Sequence, residues 1–255
     1  MLRIALAFSL AGSTLLLGQP ANNFATSTRG DQPSGQDRST LTPEMRADIM
    51  MARKMYREAI DMYKTAGVDS PIILNKTGIA YHQLSELASA KKCYERAAKI
   101  KPDYSEAINN LGTVYYAQKN YRRAIVSYKK ALEIDPRSAS VMSNLGTAYF
   151  ARKNYDLALT TYQDALKLDP EVFEHRNTMG STLVERSVEE RAKFHFYLAK
   201  VYAKEGSYDR ALMYLRKALE EGFKEKDKIL GGAEFAALKD NEEFKQIMAM
   251  EQKVL

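Results

Sequence analysis

A chain of 255 residues with 45% apolar side chains has enough hydrophobic material for an ordered core in one large or two modest domains, which excludes a disordered acidic or basic chain. Its net charge of +6 does not by itself mark a nucleic-acid surface. The basic pairs Lys91 and Lys92, Arg122 and Arg123, and Lys129 and Lys130 are interleaved with Glu and Asp, as on solvated helix faces, and a phosphate-tracking stripe is the weaker reading.

Residues 1–25 read as a secretory leader. Arg3 is followed by an apolar stretch from Ile4 to Gly18, long enough for a signal core but short of the ~20 residues that span a bilayer. Ala21 and Ala25 are small, but Gln19 and Asn23 two positions before them are not, so an uncleaved membrane anchor stays open beside a cleaved signal. No cysteine lies nearby, which argues against lipoprotein attachment. The single Cys93 excludes an internal disulfide and reads as a small helix residue. From Asn22 the chain turns to Ser, Thr, Gly, Gln and Asn. Residues 26–42 read as a flexible tether that lets the folded part stand off from a membrane or cell wall.

Residues 43–225 repeat themselves. Thr77-Gly78, Leu111-Gly112, Leu145-Gly146 and Met179-Gly180 recur at a constant interval of thirty-four, as do Tyr81, Tyr115, Tyr149 and Leu183. The same interval links Ala90, Ala124 and Ala158, then Tyr94, Tyr128 and Tyr162, then Ala97, Ala131 and Ala165, and finally Pro102, Pro136 and Pro170. Each unit predicts two amphipathic helices, separated by a polar break such as "QKN" or "RKN" and stopped by Asp-Pro or Lys-Pro. The units fall at about 43–70, 71–104, 105–138 and 139–172, with an irregular stretch over 173–225. A glycine inside a helix costs about 1 kcal/mol relative to alanine, so four in register need a reason. The simplest is close approach: Gly112 is expected to lie against Ala124 on the partner helix, with Tyr115, Tyr121 and Tyr128 filling the space around them.

The pattern L-G-x-x-Y, then A-x-x-x-Y-x-x-A, then Pro on this period resembles the tetratricopeptide repeat, here in a bacterial exported type. The resemblance implies an all-α, right-handed superhelical solenoid of antiparallel helix pairs, whose first helices line a concave groove. It departs at both ends. In the first unit Ala47 replaces the glycine and three residues are missing, as in a capping repeat. Further on, Ala211 follows Ala158 by fifty-three residues, a slip of nineteen. Either 173–191 contains an inserted helix, or the helix from Val188 to Lys204 serves two units, with Ala192, Phe196 and Ala199 in one role and Leu198, Ala199 and Tyr202 in the other. The second is favoured. Ser187 with Glu190 forms a capping box that starts this helix in both cases. Residues 226–255 carry no repeat signature. Phe235, Leu238, Phe244, Ile247 and Met248 predict short helices that cover the last exposed face.

No catalytic constellation is visible. His82, His175 and His195 stand apart without metal-ligand spacing, and there is no phosphate loop or nucleophile elbow, so no catalytic residue, metal or cofactor is assigned and an enzyme is the runner-up class. The resemblance places partner-binding residues on the first helices: Asn75, Lys76, Ile79, His82 and Gln83, then Asn109, Asn110, Thr113 and Tyr116, then Ser143, Asn144, Thr147 and Phe150. Asn110 and Asn144 would form an amide ladder for an extended peptide backbone, unless asparagine is simply common there. His82, Tyr116 and Phe150 would form a row for apolar side chains. Ile79, Ser140 and Asn144 do not match the acidic-tail clamp of the chaperone-adaptor branch. Truncating Asn110 and Asn144 is expected to leave folding barely changed.

The expected function is therefore a non-enzymatic scaffold for a protein or peptide partner, exported to the periplasm or cell envelope or secreted. It would bind no nucleic acid and touch a membrane only through an uncleaved leader. The alternative is a self-associating envelope component that uses its open ends or its C-terminal cap, with Phe244 and Ile247 as contacts. Export is testable by fractionation: the chain is expected outside the cytoplasm, and a soluble cytoplasmic protein with Met1 intact would overturn the leader.

Overall fold

The computed structural model describes residues 41–67, 69–174 and 187–250, all within the unit Leu41–Leu255. Met179-Gly180, Leu183 and His175 lie outside them. Four helix pairs come first: α1 (Pro43–Ala52) with α2 (Tyr56–Ala66), α3 (Pro71–Gln83) with α4 (Leu87–Ile100), α5 (Ser105–Ala117) with α6 (Tyr121–Ile134), and α7 (Ala139–Ala151) with α8 (Tyr155–Leu168). A fifth pair joins α9 (Val188–Lys204) to α10 (Tyr208–Glu220). Then come α11 (Lys226–Leu230), a 3-10 helix (Ala233–Leu238) and α12 (Glu242–Ala249). Among the described residues there is no strand, and no helix is long and apolar enough to cross a membrane.

Local chemistry sets the helix ends. Thr42, Ser70, Ser138 and Ser187 each accept a hydrogen bond from the backbone N–H three residues on, which starts α1, α3, α7 and α9. The expected start of α9 at Ser187 is thus found. Pro102, Pro136 and Pro170 follow the last turns of α4, α6 and α8, where their missing N–H ends the helix. The polar breaks inside each repeat are left-handed turns: Lys54, Ser85, Lys119 and Lys153 have φ near +60° (61°, 60°, 58° and 63°) and Gly206 has 75°. In each, paired backbone bonds close the turn; Asn120 N–H donates to Tyr115 O at 2.8 Å and Lys119 N–H to Tyr116 O at 2.8 Å. A left-handed residue that carries a Cβ is strained by about 1 kcal/mol, and only the fifth turn avoids this by using glycine.

The glycines are close-approach sites, and the nearest atoms they meet belong to a tyrosine ring. A Cβ on Gly78 would sit 2.5 Å from Cε1 of Tyr94, one on Gly112 2.6 Å from Cε1 of Tyr128, and one on Gly146 2.5 Å from Cε1 of Tyr162. Gly112 thus lies under the Tyr128 ring, and Ala124 is fully buried in α6. The Tyr128 and Tyr162 hydroxyls reach Thr113 and Thr147 at 3.4 and 3.2 Å, so the buried phenols keep polar partners.

One core cluster runs from Ile108 to Ile247. α9 is buried over most of its surface: Phe194 meets Phe150 and Tyr162 edge-on at 5.4 and 5.9 Å, while Tyr202 stacks on Tyr214 of α10 at 5.3 Å. α9 thus opens the fifth pair and also packs back on the fourth. The choice between an inserted helix and a shared one turns on 175–186, outside the described residues. At the C-terminal end Phe223 stacks on Phe196 at 4.3 Å, and Lys226 Nζ donates to the carbonyls of Met248 and Met250 at 2.9 and 2.7 Å. The cap corrects the two contacts expected for self-association. Phe244 is 2% exposed and Ile247 0%, so both face inward and cannot serve as contacts between copies.

The two kinds of glycine predict different responses. Gly112→Leu should lower stability by ~1–3 kcal/mol or more, because the side chain must displace the Tyr128 ring. Gly206→Ala, with open space around it but φ of 75°, should cost only about 1 kcal/mol. Urea melts measure both, and a Gly112→Leu protein as stable as the parent would show that the ring does not need the glycine.

Candidate functional site

The first helices α3, α5 and α7 bring the asparagines together across repeats. Asn110 Nδ2 donates to Asn75 Oδ1 at 3.0 Å, Asn144 Nδ2 to Asn109 Oδ1 at 3.0 Å, and Asn109 Nδ2 to Asn110 Oδ1 at 3.4 Å. Asn75, only 1% exposed, donates to Glu106 Oε1 at 2.9 Å and to the Tyr104 hydroxyl at 3.4 Å. The ladder therefore exists, but its first partners are its own members. Sequence spacing missed this because the amides pair with an offset of thirty-five, the fifth position of one repeat with the sixth of the next. The adjacent pair Asn109-Asn110 is the signal that could have revealed it, since it supplies both positions in one repeat.

Accessibility divides the remaining expected residues. Ser143, Thr147 and Phe150 are buried, because α7 is covered by its neighbours on most sides. Lys76 is half-buried and engaged: its Nζ lies 2.8 Å from Glu44 Oε1 and 2.7 Å from Asp48 Oδ2, tying α3 to α1. Partial burial works against the Asp48 carboxylate, but hydrogen bonds from Lys76 and Tyr63 outweigh it and hold its pKa below the usual range. Lys76 thus braces α3 against α1. Ile79, His82, Asn109, Asn110, Thr113, Tyr116 and Asn144 keep partly exposed side chains on the first helices. Each amide has two N–H groups and two acceptor lone pairs, so the outer edges of Asn109, Asn110 and Asn144 retain capacity beyond the ladder.

The aromatic row is only partly assembled. Tyr116 and Phe150 share a cavity of about 590 Å³ at the C-terminal ends of α5 and α7, and His82 does not line it. Its other ring walls are Tyr121, 5.2 Å from Tyr116, and Tyr155, 5.4 Å from Phe150. Tyr155 stacks on Tyr197 of α9 at 4.8 Å, and Lys193 Nζ stands 4.4 Å above the Tyr155 ring. Burial first, and then Tyr155, push the Tyr197 phenol up to about 12, so it remains a neutral hydroxyl. Tyr121, expected as a packing residue, and Tyr155 each follow a left-handed lysine by two positions, and both line this cavity. Lys119, Lys153, Lys193, Ser187, Glu189 and Glu190 supply its polar lining. At the opposite, N-terminal ends of α5 and α7, a cavity of about 430 Å³ is lined by Asp103, Glu106 and Asp135.

Other reactive groups serve packing. His195 is buried with Nδ1 2.7 Å from Glu221 Oε2; desolvation outweighs the carboxylate and pulls its pKa below the usual value. Burial pushes the Cys93 thiol up, away from an activated thiolate. Among the described residues no group of three or more His, Cys, Asp or Glu side chains could hold a metal ion.

Sequence models described as TPR repeat match residues 78–119 and 112–151, and those described as tetratricopeptide repeat match 139–172 and 181–223. The last match crosses the slip in register. Among solved structures, the crystal structure of MamA is 19% identical over 72% of this chain and 96% of that one, with a TM-score of 0.48. MamA 41-end from Desulfovibrio magneticus RS-1 is 20% identical over 70% and 92%, with a TM-score of 0.49. The first TPR of Spaghetti, bound to an HSP90 peptide, is 22% identical over 44% and 90%, with a TM-score of 0.42. No curated protein matches the chain.

The ladder makes the two asparagines unequal, which corrects the expectation that both can be truncated freely. Asn110→Ala would strand the buried Asn75 Oδ1 and should cost about 1–3 kcal/mol. Asn144→Ala leaves only the half-buried Asn109 Oδ1, which water can reach, and should cost less than about 1 kcal/mol. Urea melts of the two variants decide this, and equal small shifts would remove the ladder from the fold's stability.

Proposed function

This chain belongs to the tetratricopeptide repeat family, and on that premise we propose that it is a non-enzymatic protein-interaction scaffold that holds an extended partner segment along the first helices α3, α5 and α7. The observation that carries the reading is the amide ladder, whose outer edges at Asn109, Asn110 and Asn144 are still partly exposed while their inner edges are tied to one another. An amide held this way has lost its rotamer freedom before the partner arrives. Each hydrogen bond to a partner backbone then costs little ordering entropy. The leader-like residues 1–25 and the polar tether 26–42 support an exported protein that works in the periplasm or at the envelope.

Capture from envelope extract with the full chain, followed by titration of the identified partner, tests the reading. Asn144→Ala should weaken that partner's affinity about 2- to 12-fold, the worth of one hydrogen bond of 0.5–1.5 kcal/mol, at nearly unchanged melting temperature. Affinity that is indifferent to Asn144→Ala, with binding retained after deletion of residues 71–172, would move the partner to another surface.

A further inference from the structure

Resting on the scaffold reading, we propose that the segment this groove accepts has one large apolar anchor beside a carboxylate at one end and a basic side chain about five residues away. The cavity of about 590 Å³ lies within the range of small-ligand pockets and is walled by Tyr116, Tyr121, Phe150 and Tyr155, so it seats one aromatic or large aliphatic side chain with its flanking backbone. Ring faces of this kind reward apolar area, and the tyrosine hydroxyls and charged lining residues remain for polar groups beside the anchor. The anchor is therefore Phe, Tyr, Leu or a residue of similar size.

Charge decides what flanks it. Lys119 and Lys153 stand on adjacent left-handed turns at the cavity rim, are exposed, and have no carboxylate within ion-pair distance among the described residues. A carboxylate beside the anchor would face both ammonium groups. Lys193 adds a third cation to the lining, and Glu189 and Glu190 line it from the first turn of α9, where the positive end of the helix dipole favours them. At the other end of the same two helices the lining carboxylates are Asp103, Glu106 and Asp135, and no Lys or Arg lines that cavity. Acidic residues at helix starts are ordinary, so they would point to nothing alone; joined to the ring-walled cavity by Asn109, Asn110 and Thr113, they give the groove a direction. Glu106 and Tyr116 are ten residues apart on α5, about 15 Å, which an extended segment covers in about five residues.

The probe is a fluorescent ten-residue peptide of Ser and Gly with Lys-Arg near one end and Phe-Asp five residues on, used with its reversed sequence because either chain direction could fit. Anisotropy titrations use the full chain. The better of the two should bind at least ~10-fold more tightly than a version with its charges exchanged, and replacing its phenylalanine by serine should cost a similar factor. Lys119→Glu/Lys153→Glu, at exposed positions that leave the melting temperature in place, should weaken the matched probe and strengthen the charge-exchanged one. Equal affinity for both charge arrangements, or no response to the lysine variant, overturns the proposal and leaves the scaffold reading standing. Absence of binding by either probe also overturns it, while partner capture with Asn144→Ala judges the scaffold separately.

Discussion

A tyrosine ring seated on a glycine is the contact from which each regular repeat is built. Gly78, Gly112 and Gly146 have no room for a Cβ, because Tyr94, Tyr128 and Tyr162 occupy that volume. The glycine costs helix propensity of about 1 kcal/mol, and a fully buried tyrosine more than offsets it through apolar area and ring packing. The contact also sets the separation of the two helices, so the alanines at 90, 97, 124, 131, 158 and 165 close against their neighbours with no exposed surface. Where the repeat slips, Ala199 and Leu215 take the places of the glycine and the tyrosine. Both remain fully buried, which exchanges a ring over a bare backbone for two ordinary aliphatic side chains.

Turn chemistry then decides what the array presents. Each first helix ends in a left-handed residue whose two backbone bonds reverse the chain within three residues. That geometry leaves the side chain of the turn residue pointing to solvent, which is why Lys119 and Lys153 reach the rim of a cavity rather than the core. The aromatic residue that opens the next helix, Tyr121 or Tyr155, packs back tilted or edge-on against the ring near the end of the helix before it. A feature needed for folding, the tight turn, thus also makes a ring-walled surface at one end of the first helices.

Between the turns, hydrogen bonding links repeats that apolar packing alone would leave free to slide. The Asn75–Asn110 and Asn109–Asn144 bonds join α3 to α5 and α5 to α7, and Lys76 joins α3 to α1 through Glu44 and Asp48. Half-buried amides resist truncation unequally, since an orphaned acceptor is costly only where water cannot replace the lost donor. The ladder ties the repeats together and leaves its outer edges partly exposed. The array is sealed by Phe235, Leu238, Phe244 and Ile247, which close its last apolar face from inside.

The thirty-four-residue period, the helix pairs, the proline stops, the Ser187 start and the buried tyrosines were all legible in the residues, because each depends on local propensity or on spacing along one helix. What the residues could not settle were contacts between elements. The ring over Gly112 belongs to Tyr128, since helix rotation selects which of several small and flat neighbours comes nearest. Lys76 is spent on α1, Phe150 lies under α9 and Asn75 is sealed between repeats, because exposure is a property of what packs on a face and not of the position within a repeat. The offset of the amide ladder and the gathering of Tyr116, Tyr121 and Tyr155 around one cavity were likewise decided by how neighbouring repeats stack. The sequence by itself determined which helices form and how they pair; only the tertiary structure decided which side chains are left for a partner, because burial is fixed by neighbours far apart in the chain.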